Sequence, residues 1–156
     1  MAKKNYGKDF EEHFKKDFIE TFPNQFIFRL KDDVSKRKGA AKNPCDFLAH
    51  VNNILYMLEV KCTYENTFNF SYLRQYSELI TYLGLKNVEI GVIIWFINHD
   101  DVLYVPIETV QKMKANGDKS VNIRKLKDYK VVHVPATKLR VFMKCDYSFM
   151  KDEISK

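Results

Sequence analysis

Phe10, Phe14 and Phe18 recur every four residues, Ile19 and Phe22 widen the stripe, and Glu11, Glu12, Lys15 and Lys16 fill the opposite side. This spacing predicts an amphipathic helix that starts at Gly7 and ends before Pro23. Residues 25–30 alternate weakly and read as a first strand, and the polar, charge-rich stretch 31–44 reads as a loop. Residues 46–51 and 54–63 are apolar and β-branched enough to be strands, with Asn52-Asn53 suited to a tight hairpin turn between them. After a polar bridge at 64–69, Tyr72, Leu73, Tyr76, Leu79, Ile80 and Leu83 fall at helical spacing, with Gly84 as a stop. Residues 88–97 are almost continuously apolar, the pattern of a central strand covered on both faces. A turn at 98–101, a strand at 102–105 and a short helix from Pro106 to about Lys114 follow. A small helix at 121–129 and a strand at 130–134 come next, and the polar, mixed tail beyond Pro135 yields no clear element. Helix, strands, then helix and strand in alternation predict an α/β or α+β sandwich around a mixed sheet.

The length of 156 residues suits one domain, and 12 Phe and 9 Tyr, with the single Trp95 in an apolar strand, are enough to fill its core. Charge changes the picture more. Lys and Arg number 26 against 20 Asp and Glu, a net +6, which fits nucleic acid or an anionic membrane surface as partner. Cys45, Cys62 and Cys145 form an odd set without CxxC spacing, so reduced thiols fit better than zinc or disulfides. His13, His50, His99 and His133 lack metal-ligand spacing and read as structural or exposed. No apolar leader follows the N-terminus, and the longest apolar stretch, 91–97, is far too short to span a bilayer. The expectation is a cytoplasmic chain without a membrane partner.

Candidate chemistry gathers on the predicted hairpin. Glu59 and Lys61 stand two apart on one strand and so point to one side, with Val60 towards the core and Asp46 at the start of the facing strand. Alone, an exposed Glu-x-Lys is usually a solvated ion pair contributing ~0–1 kcal/mol. Two carboxylates beside an ammonium are also what phosphodiester hydrolysis needs. Asp46 and Glu59, with the Val60 carbonyl, can hold Mg²⁺ through hard oxygens while several waters remain. The metal polarises the phosphate and acidifies a bound water, and Lys61 orients that water or stabilises transition-state charge.

The order Asp46, hairpin, Glu59-Val60-Lys61, between a Glu-bearing helix and a Gln-bearing helix, resembles the PD-(D/E)xK nuclease superfamily. The Pro-Asp pair of that motif is split here as Pro44-Cys45-Asp46. More narrowly the chain is similar, over roughly residues 6–134, to the RecU family of Holliday-junction resolvases of Gram-positive bacteria and their phages. Gly7-Lys8-Asp9-Phe10-Glu11 resembles that family's N-terminal Gly-x-x-Phe-Glu, and Asn66 to Phe70 leading into Gln75 resembles its stretch before the helix glutamine. Lys119-Ser120-Val121, with Leu126 and Tyr129, is similar to a late segment of the same proteins. The resemblance implies a restriction-endonuclease-like α/β core with Asp46 and Glu59 as metal ligands and Lys61 as catalytic lysine. It makes Glu11 an accessory acid and Gln75 a positioning residue, with Mg²⁺ as cofactor and Mn²⁺ able to substitute.

Arg29, Lys31, Lys36, Arg37, Lys38 and Lys42 flank Asp46, and Arg74 adjoins Gln75. A basic loop beside a metal site grips phosphates with strong salt dependence. RecU proteins carry a long stalk where this chain has only residues 31–44, which weakens the expectation of junction selectivity more than that of cleavage. Archaeal resolvases of the superfamily lack such a stalk. Four-way-junction DNA is the expected partner, duplex DNA a second substrate, and a homodimer the expected assembly, since symmetric nicking needs two matched sites. Two alternatives stand beside it: a repair or restriction-type endonuclease on duplex DNA, and a non-catalytic DNA-binding protein of the same fold.

Overall fold

The computed structural model describes residues 5–31 and 43–151; the predicted phosphate contacts Lys36, Arg37, Lys38 and Lys42 fall outside them. Helix α1, Tyr6–Thr21, forms where the aromatic spacing predicts it. The Asn5 side chain accepts from the Lys8 amide at 3.2 Å and caps it. Phe10, Phe14 and Phe18 make its buried stripe. Strands β1 (Phe26–Arg29), β2 (Phe47–Val51) and β3 (Ile54–Thr63) follow, with β1 antiparallel to β2 and β2 antiparallel to β3. Between β2 and β3, Asn52 and Asn53 take φ of 49° and 66°. Asparagine tolerates this left-handed backbone, and two such residues in a row make the tight turn that matches strand twist.

The chain continues through β4 (Thr67–Asn69), the short helix α2 (Tyr76–Leu79), β5 (Val88–Phe96), β6 (Asp101–Pro106) and α3 (Ile107–Ala115). Then come β7 (Ser120–Asn122), β8 (Val132–His133), β9 (Ala136–Lys138) and β10 (Met143–Cys145). The central sheet has the order β1-β2-β3-β5-β6-β8, with β3 parallel to β5 and the other pairs antiparallel. One face, bearing Leu58, Val60, Ile93 and Trp95, packs against α1. The other, bearing Met57, Val92 and Ile94, packs against Leu79, Ile107 and Val110. Strand β5 is therefore covered on both sides, as its apolar run predicts. At Gly91 an added Cβ would lie 2.3 Å from the Tyr104 ring, so only glycine lets that ring rest on the β5 backbone. Among the described residues no helix is long and apolar enough to cross a membrane.

Three sequence expectations give way. The helix predicted over 72–83 is broken. Phe70–Tyr72 form a 3₁₀ turn in which the Asn69 side chain accepts from the Ser71 amide at 2.9 Å, and only Tyr76–Leu79 is α-helical. Burial of Phe70, Leu73 and Leu79 overrides the helical period in a segment whose aromatic and β-branched residues favour helix only modestly. The helix predicted over 121–129 is a strand and turns instead. Val121 is buried and pairs with Phe68 in the β4–β7 ribbon, and Asn122 bonds locally to the Arg124 amide at 3.0 Å.

The tail is not featureless. Strands β9 and β10 form a hairpin, and Met143, Cys145, Tyr147 and Met150 complete the core layer over α1. Asp17 of α1, only 5% exposed, accepts from the Cys145 amide at 2.9 Å and ties the two together. Its carboxyl is held above the usual range, chiefly by burial, with the Cys145 hydrogen bond opposing. The Tyr147 ring meets Phe14 edge-on at 5.0 Å. Tyr147→Ala is expected to cost ~3–5 kcal/mol, the loss of a fully buried ring. Urea denaturation checks this; a loss below about 1 kcal/mol would mean the tail is not part of the core.

Candidate active site

The hairpin register decides which side chains meet. Phe47 pairs with Leu58, and the Asp46 amide donates to the Leu58 carbonyl at 3.0 Å, so Asp46 arrives beside Glu59 as β2 begins. The Asp46 carboxylate accepts from the Val60 amide at 2.9 Å. Lys61 Nζ stands 3.0 Å from Glu59 Oε2 and 3.4 Å from Asp46 Oδ2, bridging the two carboxylates. Amide and carbonyl of one strand residue point to the same edge, so the Val60 carbonyl shares the edge that Asp46 occupies. Val60 itself is buried in the α1 layer.

Glu59 is 5% exposed, and its carboxyl is pushed up to about 8, first by burial and then by the neighbouring Asp46 charge, with Lys61 opposing. For Lys61, burial alone would lower the ammonium's pKa. The charges of Glu59 and Asp46 outweigh it and the pKa is raised, which keeps Lys61 charged. The site is thus a half-buried, electron-rich oxygen cluster with one cation already drawn into it.

Glu11 faces the same cleft from α1 and accepts from Arg29 Nε at 2.8 Å, with a second contact from Arg29 Nη2. Burial raises the Glu11 carboxyl above its ordinary range, the Arg29 hydrogen bond opposes this and the Asp46 charge adds to it. Arg29, read from sequence as a phosphate contact, is thereby engaged with Glu11. The cleft has a volume of about 880 Å³ and brings together Glu11, Arg29, Asp46, Glu59, Lys61 and Gln75. Val60 and Arg74 also line it, whereas Lys31 does not. Gln75 caps α2 and is not within a long helix; its carbonyl accepts from the Glu78 and Leu79 amides.

Lys8 and Asn43 line the cleft too, and neither stands out by sequence. Lys8 precedes Glu11 by one helical turn, a spacing that puts both on one face and so could have found it. Among the described residues no group of three His, Cys, Asp or Glu side chains is arranged around a common metal position. The oxygens available to a cation are therefore the Asp46 and Glu59 carboxylates and the Val60 carbonyl, a sparse, hard set of the kind Mg²⁺ completes with water.

No protein-family model matches the chain, and no curated protein does. A solved structure of Hjc from Archaeoglobus fulgidus, a Holliday junction resolvase from an archaeal hyperthermophile, is similar in fold. The TM-score is 0.50 at 18% identity, over 66% of this chain and 78% of that one. The likeness establishes the restriction-endonuclease-like α/β core that the sequence predicts.

The electrostatics give a stability test. Because the folded Glu59 carboxyl titrates near 8 and its ordinary value is 4.5, the folded chain holds a proton across this interval that the unfolded chain has lost. Stability contributed at this position therefore falls as pH rises from 4.5 to 8. In metal-free buffer at the upper end of that window, Glu59→Gln is expected to melt about 2–4 °C above wild type, with the difference closing towards the lower end. Thermal melts across the window check this; a variant less stable at the alkaline end would contradict the stated burial of charge.

Proposed function

We propose that this chain is a Mg²⁺-dependent endonuclease that hydrolyses DNA phosphodiesters and resolves four-way junctions. The observation that carries the reading is the convergence of Asp46, Glu59 and Lys61 in one open cleft, with Lys61 3.0 Å and 3.4 Å from the two carboxylates. The fold shared with an archaeal Holliday junction resolvase adds support to the substrate.

The residues fit a divalent cation. The donors are oxygens, and the Glu59 carboxyl, which burial holds protonated up to about 8, is a group that a cation would ionise and stabilise. Asp46, Glu59 and the Val60 carbonyl would hold Mg²⁺, with Mn²⁺ able to substitute. When bound, the metal polarises the phosphate and acidifies a coordinated water. Lys61 places a fixed positive charge where the phosphate oxygens gain negative charge in the transition state. The Asp46–Val60 amide hydrogen bond holds one carboxylate in place before substrate arrives. Gln75 and Arg74 position the strand, and Glu11, set by Arg29, acts as an accessory acid. Lys31 and the cations at 36, 37, 38 and 42 grip the flanking phosphates, so binding weakens steeply with salt. Junction resolution needs two matched cuts, and the reading carries with it a two-fold pair of this chain.

Cleavage of an end-labelled immobile junction beside a linear duplex of equal sequence tests the proposal. Paired nicks are expected in the junction with Mg²⁺ and none with EDTA. Glu59→Gln, Asp46→Asn and Lys61→Ala are each expected to lose about a hundredfold or more in rate. Equal cutting of both substrates would remove the junction claim and leave a duplex endonuclease. Binding with no cutting under any metal would sink the site assignment and favour a non-catalytic DNA-binding protein.

A further inference from the structure

Two large aromatic rings stand open at the rim of the catalytic cleft. Tyr64 is 51% and Tyr72 is 65% exposed, and both line the cavity that holds Lys61. An isolated exposed tyrosine means little, since apolar surface is common on any protein. These two differ in sharing one cleft and in being rigidly mounted.

Tyr64 sits on a turn fixed from several directions. The Thr63 hydroxyl accepts from the Glu65 amide at 3.1 Å and donates to the Thr67 carbonyl at 3.4 Å. The Asn98 side chain donates to the Tyr64 carbonyl at 2.8 Å, and His99 Nε2 lies 2.6 Å from Asn66 Oδ1. The Tyr6 ring backs Tyr64 edge-to-face at 5.7 Å and 88°. Such a T-shaped contact occupies at most one face of the Tyr64 ring. Tyr72 ends the capped 3₁₀ turn, whose first residue, Phe70, donates its amide to the Lys119 carbonyl at 3.0 Å. Its ring leans on Phe68 at 5.9 Å and 44°. Ordering a tyrosine costs little conformational entropy, and rigid aromatic surfaces are efficient contacts for that reason.

We propose that Tyr64 and Tyr72 are stacking platforms that take up bases unstacked at the branch point and so confer the preference for branched over continuous DNA. The proposal rests on the nuclease reading above and goes on to say how the site tells substrates apart. Tyr64 follows Lys61 by three residues, within about 10 Å along an extended chain, or about three base steps at 3.4 Å. Tyr72 lines the same cleft, two residues before Arg74. In a continuous duplex every base is already stacked, and removing one costs energy that the ring must recover. At a branch that cost is lowest, so stacking on a fixed ring favours the branched substrate. A chain with only a short segment at 31–44 can thus select junctions without inserting a long element into their centre.

Single-turnover cleavage of a junction and a duplex of equal sequence gives the ratio to be read. Tyr64→Ala and Tyr72→Ala are each expected to lower the junction-to-duplex rate ratio about tenfold, the effect of losing one stacked base. Tyr64→Phe and Tyr72→Phe, which keep the ring, are expected to restore it. An independent readout uses 5-iodouracil beside the branch point, irradiated in complex with the cleavage-impaired Glu59→Gln chain. Crosslinks mapping to Tyr64 or Tyr72 with the junction, and absent with the duplex, are expected. Unchanged ratios in the alanine variants, crosslinks elsewhere, or a wild-type chain that cuts both substrates equally would each overturn the stacking role while leaving the nuclease. A wild-type chain that cuts neither substrate would overturn both readings.

Discussion

The turn at Asn52 and Asn53 carries the constraint on which the candidate site depends. Both residues hold positive φ, and a two-residue turn of this kind permits one register between β2 and β3. That register pairs Phe47 with Leu58 and brings Asp46 to the edge of β3 where the Val60 amide is free to receive it. Side chains alternate across a sheet, so a slip of one residue would turn Glu59 and Lys61 into the α1 core and Val60 into the cleft. The hydrophobic pattern guards against this. Leu58 and Val60 are needed under α1, which leaves Glu59 and Lys61 only the opposite face.

The same geometry concentrates electrostatic tension. Glu59 is surrounded by protein, a second carboxylate stands in the same cluster, and the one ammonium of Lys61 compensates both. Burying charge with incomplete pairing destabilises a fold, and such tension gathers at functional sites while the rest of the protein stays locally consistent. Elsewhere in the chain the buried acid Asp17 has a structural explanation: it accepts an amide hydrogen bond that clamps the C-terminal hairpin to α1. Glu59 has no comparable structural duty.

What was legible in the sequence was local and periodic. The aromatic stripe of α1, the β2–β3 hairpin and the apolar run of β5 each announce themselves within one element, and the Asp46, Glu59 and Lys61 grouping follows from strand periodicity plus one turn. The remainder depends on partners distant in sequence. The segment around Leu73 to Leu83 has helical spacing, yet the β4–β7 pairing and the burial of Phe70 and Leu73 dictate its path. The tail looks polar because its core residues alternate with exposed ones. Met143, Cys145 and Tyr147 are recognisable as one buried face only once α1 is there to cover them. The Glu11–Arg29 pairing, 18 residues apart, and the cleft positions of Tyr64 and Tyr72 are likewise products of assembly.

The central claim is that the oxygen cluster at Asp46 and Glu59, with Lys61, cuts branched DNA at paired positions. A supercoiled plasmid that extrudes an inverted repeat as a cruciform tests it most directly. With Mg²⁺, linear plasmid is expected, its two cuts lying symmetrically across the branch point. An intact plasmid, or cuts scattered without regard to the cruciform, would contradict it.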